Sequence, residues 1–144
     1  MQHVRIDRYL HAPVEAVFDT YTDHVGWADW GGLPAASLDK EGDPPPNGTG
    51  CVRVFGPPAF AAYEEILEFT RPKRMTYRVL RGGIPIKNHF GEVDFEAEGE
   101  GTRIRWHAQF DPKIPGTGAL IRIGLTRFFR GVLDGLAEHR FPDP

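Results

Sequence analysis

A long two-faced helix needs a surface for its apolar side, and residues 118–139 read as such a helix. At about 100° per residue, Ile121, Leu125, Phe128, Phe129, Val132 and Leu136 share one face. Arg122, Thr126, Arg127, Arg130, Asp134 and Glu138 share the other. The apolar stripe has to be laid on another element. Gly124, Gly131 and Gly135 fall along one edge of it. Each costs about 1 kcal/mol against alanine inside a helix. Their presence predicts either a close approach of a sheet or room for a ligand beneath the helix. Acidic side chains are interleaved with the arginines, so the polar face reads as a solvated one.

The rest of the chain supplies mostly strands. Residues 4–10 alternate, with Val4, Ile6 and Leu10 on one side and Arg8 as a charged exception among them. Pro13 suits the first turn of a short helix with Val14, Val17, Phe18 and Tyr21 as its apolar stripe. Asp23 is an N-cap for a second short helix over residues 24–30, where Trp27 and Trp30 can both face inward. Strands are predicted over residues 35–40, 50–55, 60–69, 73–81, 89–98 and 102–110, separated by Gly- and Pro-rich turns. The last alternates most cleanly, with Ile104, Trp106, Ala108 and Phe110 facing one way and Arg103, Arg105, His107 and Gln109 the other. His107 is therefore expected in solvent.

Strands joined by short turns are antiparallel neighbours. Their dry face needs a cover, and the last helix is the longest element available. The expected fold is α+β: a curved antiparallel sheet of six to seven strands, wrapped around a long C-terminal helix, with two short helices after the first strand. Such a wrap is hard to fill and predicts a cavity. The 144 residues suit one domain, 1–144. A net charge of -3 gives no footprint for nucleic acid. The single cysteine, Cys51, fits a reducing compartment, and nothing resembles a signal peptide or a membrane span, so a cytoplasmic location without integral membrane contact is expected. No Cys/His spacing for a metal and no nucleotide-binding glycine loop is present, so no metal and no cofactor is expected. Ser37, the sole serine, has no evident base beside it.

Several stretches carry a family resemblance: the first strand followed by residues 12–18 (APVEAVF), Asp23 with Trp27 and Trp30, residues 65–69 (EILEF) leading to Arg71-Pro72, and residues 101–106 (GTRIRW) before the last helix. In these the chain resembles the START-like, or Bet v 1-like, helix-grip superfamily, and within it the bacterial polyketide cyclase/dehydrase and lipid-transport group of SRPBCC proteins. The resemblance covers nearly the whole chain and implies a helix-grip fold. It also implies a central cavity for sterols, lipids, polyketides or hormones, and catalysis in a minority of members. Aromatase/cyclase members carry a pocket arginine on the strand matching residues 63–69 and a tyrosine after the second short helix. Here that strand offers Glu65, Leu67 and Phe69, and residues 33–38 hold no tyrosine.

Strand parity selects the site candidates. If Leu67 and Phe69 point inward, so do Tyr63 and Glu65, and Glu65 becomes an acid/base candidate. Its bland alternative is a rim position or a pairing with arginine. His89 shares parity with Val93 and Phe95 and is the natural proton carrier near neutral pH, or else a structural rim histidine. Arg53 lies with Cys51 and Phe55; it would hold a ligand anion or balance Glu65, unless Val52 and Val54 are the inward pair. Tyr77 would anchor a polar group or pack as plain core. Trp30, Tyr63, Leu67, Phe95, Trp106, Phe110, Phe128 and Val132 complete the expected lining. The resulting expectation is a binding or carrier protein for a hydrophobic small molecule, as monomer or homodimer. The alternative is a cyclase or dehydratase using Glu65 or His89, with Arg53 or Tyr77 at an oxyanion.

Overall fold

The computed structural model describes residues 1–139 and residue 141. Strand β1 (Gln2–Leu10) is followed by helix α1 (Val14–Thr22), a 3₁₀ turn (His24–Gly26) and helix α2 (Trp27–Trp30). Strands β2 (Ala36–Lys40), β3 (Val52–Phe55), β4 (Ala62–Thr70), β5 (Arg74–Gly82), β6 (Ile86–Glu98) and β7 (Gly101–Pro112) come next, and helix α3 (Gly118–Glu138) closes the chain. The strands form one seven-stranded sheet in the order β1-β7-β6-β5-β4-β3-β2, and every neighbouring pair is antiparallel. Hairpin succession accounts for β2 to β7. The first strand then pairs with the last, leaving β1 and β2 as the edges.

The alternation of β7 holds along its length: Ile104, Trp106, Ala108 and Phe110 are buried on the concave face. The convex face is a lattice of ion pairs. Arg74 meets Glu68, Glu92 and Asp94, and Arg103 meets Asp7 and Glu98. His107 is half-buried there rather than solvated, between Glu92 (3.0 Å) and His3 (2.9 Å). Exposed pairs of this kind contribute little one by one, but they keep the outer face wet and so fix which face is dry.

The dry face is not covered by α3 alone. Phe18 and Tyr21 of α1 and Trp27 of α2 fill one end of the concavity, packing edge-on against Phe69, Phe95 and Trp106. Only the C-terminal half of α3 closes tightly over them: Phe129 stacks on Trp106 with centroids 3.9 Å apart, and Val132, Leu133 and Leu136 are fully buried. Arg8, the charged exception on the inner side of β1, reaches Asp134 on the helix. Consequently Phe95, Trp106, Phe110 and Val132, expected to line a cavity, are filled core, and Trp30 packs partly buried against it. The two short helices take a larger share of the covering than the sequence pattern predicts.

The three helix glycines separate. A Cβ on Gly135 would stand 2.0 Å from the Trp30 carbonyl oxygen, so this glycine permits close helix–helix approach. Gly131 faces open space and is exposed. Gly124, with equally open surroundings, lies where the N-terminal half of α3, while packed against β1, stands away from strands β4 to β6.

Candidate functional site

Between that half-helix and strands β4 to β6 lies a cleft of about 460 Å³. Its walls are Tyr77 and Val79 of β5, Ile86 and His89 of β6, and Ile121, Leu125 and Phe128 of α3. Phe60 from the β3–β4 loop and Ile84 from the β5–β6 turn stand at its mouth. Glu64, Tyr77 and His89 are its ionisable groups among the described residues.

Glu64, rather than Glu65, is in the cleft because β4 carries an extra residue of its own, one of two irregularities in its pairing with β5. Leu80 is an extra residue opposite the step from Tyr63 to Glu64, and Leu67 is an extra residue between Ile66 and Glu68. A bulge resets the inside–outside alternation of a strand. Ala62, Glu64 and Ile66 therefore face inward, Leu67 is 37% exposed, and Phe69 returns to the inside against Phe18. Tyr63 and Glu65 face outward: the Tyr63 ring lies 3.9 Å from the Arg81 guanidinium, and Glu65 pairs with Arg78 at 2.8 Å. Strict parity over residues 63–69 placed Tyr63, Glu65 and Leu67 on the wrong face.

Arg53 does face inward, with Cys51 and Phe55, and is 1% exposed. Its strand partner in register is Glu64. Nε and Nη2 donate to Glu64 Oε1 at 2.9 and 2.8 Å, and Nη1 donates to His24 Nδ1 at 3.2 Å. The guanidinium carbon lies 5.0, 4.9 and 4.6 Å from the ring centres of Trp27, Phe55 and Tyr77. Burial opposes this charge, but Glu64, Tyr21 and Tyr77 together outweigh it and the guanidinium stays ionised. A buried ion needs such compensation, because the desolvation cost is several kcal/mol. Arg53 is the floor beneath the cleft, and its counter-ion is the cleft's carboxylate.

His24 is fully buried below Arg53. Burial first and Arg53 second depress its pKa to about 3, so it is neutral. The proton sits on Nε2, which donates to the Asn47 carbonyl at 3.1 Å, leaving Nδ1 to accept from Arg53.

Three polar groups meet at one wall. Oε1 of Glu64 is taken by Arg53, while Oε2 has no hydrogen-bond partner among the described residues. His89 Nδ1 accepts the Val79 backbone N–H at 3.0 Å, so its remaining proton is on Nε2. Burial lowers the pKa of His89 and favours this neutral donor form. Tyr77 Oη accepts the Trp106 indole N–H at 2.9 Å, and burial, then Glu64, keep the phenol protonated. The Tyr77 ring is 5.3 Å from that of His89 and lies across Gly91, where a Cβ would come within 2.4 Å of it. The arrangement offers one fixed acceptor, one neutral N–H donor and a phenol in otherwise apolar surroundings.

The structure thus brings together Arg53, Tyr77, His89 and Phe128 from the sequence candidates, and adds Glu64 and His24. An inward Arg53 implies only that an inward residue of β4 lies opposite it; that this residue is Glu64 follows from the register of the two strands. His24 carried no signal beyond its place in a short helix. Among the described residues no cluster of His, Cys, Asp or Glu could hold a metal, and no helix is long and apolar enough to cross a membrane.

The fold is shared with solved structures of several kinds. A protein from Thermobifida fusca superposes with a TM-score of 0.79 at 25% identity, covering 96% of this chain and 92% of that one. An aromatase/cyclase from Streptomyces sp. R1128 gives 0.80 at 15% identity, with 94% and 91% covered. A START superfamily protein from Mycobacterium smegmatis gives 0.79 at 8% identity, with 94% of each chain covered. At such identities the last two speak for the fold alone. No curated protein matches the sequence. The sequence profile described as polyketide cyclase / dehydrase and lipid transport matches residues 1–139, and the chain belongs to that family.

Proposed function

We propose that this protein binds an apolar, lipid-like or ring-containing small molecule in the cleft beneath the N-terminal half of α3, and carries it unchanged. One observation carries the reading: the cleft's volume of about 460 Å³ falls within the range of small-molecule sites, and its polar groups are few and gathered on one wall. Glu64 Oε2 would accept from a ligand hydroxyl, and His89 Nε2–H and Tyr77 would donate to a ligand oxygen. The buried free thiol of Cys51 is in keeping with work in the cytoplasm.

Gly124→Leu tests the site directly. The new side chain meets no protein atom at its Cβ and projects from a cleft-lining position. Helix propensity alone favours the change by about 1 kcal/mol. The expected result is loss of Nile red binding, and of any ligand seen to co-purify by native mass spectrometry, in a protein that melts no lower than wild type. Unchanged binding would remove the cleft as the site.

A second reading rests on the same wall. Glu64 Oε2 is placed to take a proton, and His89 Nε2–H with Tyr77 to hydrogen-bond an oxyanion as it forms, which is the equipment of a cyclase or dehydratase. A ligand recovered chemically altered, with the alteration abolished by His89→Leu, would favour it. A ligand recovered intact favours the carrier.

A further inference from the structure

We infer that the rim of the cleft is a docking surface for a lipid bilayer with anionic headgroups, onto which the protein sets the cleft mouth. Two independent features converge there. The first is apolar. Phe60 is 73% exposed, Leu120 71% and Ile114 53%, with Ile84 and Ile123 also exposed. These side chains come from separate segments that the fold gathers at one end. Phe60 and Ile84 border the cleft mouth. The loop bearing Ile114 is tied to the β5–β6 turn by the Lys113 N–H donating to the Pro85 carbonyl at 2.9 Å. Leu120 lies one helical turn before Gly124, on the same edge of α3. Large apolar residues clustered at tips around an opening mark an interaction surface rather than scattered exposure.

The second feature is charge. Between Asp111 and Asp134 the only charged residues are Lys113, Arg122, Arg127 and Arg130, all basic, in a chain of net charge -3. The interleaving of acids read from the sequence applies only to the last turns of the helix, and Asp134 is itself engaged by Arg8. Among the described residues none of these four basic side chains makes an ion pair, whereas most arginines of the sheet do. Arg122, Arg127 and Arg130 flank a shallow groove with Arg5 and His3 of β1. A polyanion in water would explain the arginines but not Leu120, Ile114 and Phe60. An apolar protein partner would explain the latter but not the unpaired cations. A headgroup layer over acyl chains matches both, with cations at the surface and apolar tips below it. Docking is separate from ligand binding; only the consequence, loading of the cleft from the bilayer, rests on the function proposed above.

The test is co-sedimentation with vesicles of phosphatidylcholine and phosphatidylglycerol in equal parts, against vesicles of phosphatidylcholine alone. Wild type should partition to the anionic vesicles only, and added salt should weaken it. Arg127→Glu/Arg130→Glu should lower partitioning at least tenfold, since each basic residue near such a surface contributes about fivefold. Ile114→Glu/Leu120→Glu should lower it similarly. All four positions are exposed and outside the cleft lining, so Nile red binding should persist in both variants and separate this proposal from the previous one. Absence of vesicle binding by wild type, or partitioning unaffected by either pair, overturns the inference. Binding to a nucleic acid as tight as to vesicles, and indifferent to Ile114→Glu/Leu120→Glu, overturns it in favour of a plain polyanion site.

Discussion

Glu64→Gln removes one charge and almost no volume, and the structure fixes what that should cost. Arg53 is 1% exposed, and Glu64 is its sole carboxylate partner among the described residues. Breaking a buried pair from one side costs about 3–5 kcal/mol, because the surviving ion stays desolvated without compensation. The rings of Trp27, Phe55 and Tyr77 offset part of this, at about 1 kcal/mol for a good cation–π contact. Glutamine also keeps an oxygen that can accept from Nε. A loss of about 3 kcal/mol is expected, a large share of the ~5–15 kcal/mol available to a domain. Urea denaturation at neutral pH measures it. Glu65→Gln, one residue along the same strand, is the internal control and should cost less than about 1 kcal/mol, since its pairing with Arg78 is at the surface. Arg53→Met/Glu64→Gln should recover most of the loss, because no buried ion remains. Equal effects of Glu64→Gln and Glu65→Gln would refute the claim that Arg53 is a buried charge held by Glu64.

Acid sensitivity should trace in part to His24. Its folded pKa of about 3 lies below the ordinary value of 6.5, so the unfolded chain takes up the proton first, and the stabilisation is present above about pH 6.5 and lost as the pH falls toward 3. The wild-type melting temperature should therefore drop more steeply from pH 7 to pH 4 than that of His24→Gln; parallel curves would mean His24 is not buried neutral. Gly135→Ala places a methyl group against the Trp30 carbonyl and should destabilise by about 2 kcal/mol, whereas Gly131→Ala, in open space, should stabilise by up to about 1 kcal/mol. Thermal melts showing the same sign for both would discredit the docking of α3 on α2.

Much of the architecture is written in local pattern. The 3.6-residue period of α3, the clean alternation of residues 102–110 and the Gly/Pro punctuation between strands are short-range signals, and each specifies its element without knowledge of its neighbours. Chain order then dictates antiparallel neighbours. The inward set of β7 and the faces of the helix follow from this level alone, and so does the presence of a two-sided sheet needing a cover. The choice between Glu64 and Glu65 does not. Adjacent carboxylates offer one to each face, and which one enters the cleft depends on where β4 carries an extra residue, Leu67, in its pairing with β5, a property of the pair of strands. The same extra residue turned Tyr63 outward and left Leu67 itself exposed. Tertiary structure also divided α3 in two. Its sequence is apolar on one face throughout, but only its C-terminal half meets the aromatic plug from α1 and α2, so Trp106 and Val132 became core while Phe128 and Gly124 were left at the cleft. The pairing of Arg53 with Glu64 and His24 joins three segments distant in the chain, and nothing in local pattern encodes it. A buried charge selects its partners by reach and desolvation, and both exist only once the chain has folded.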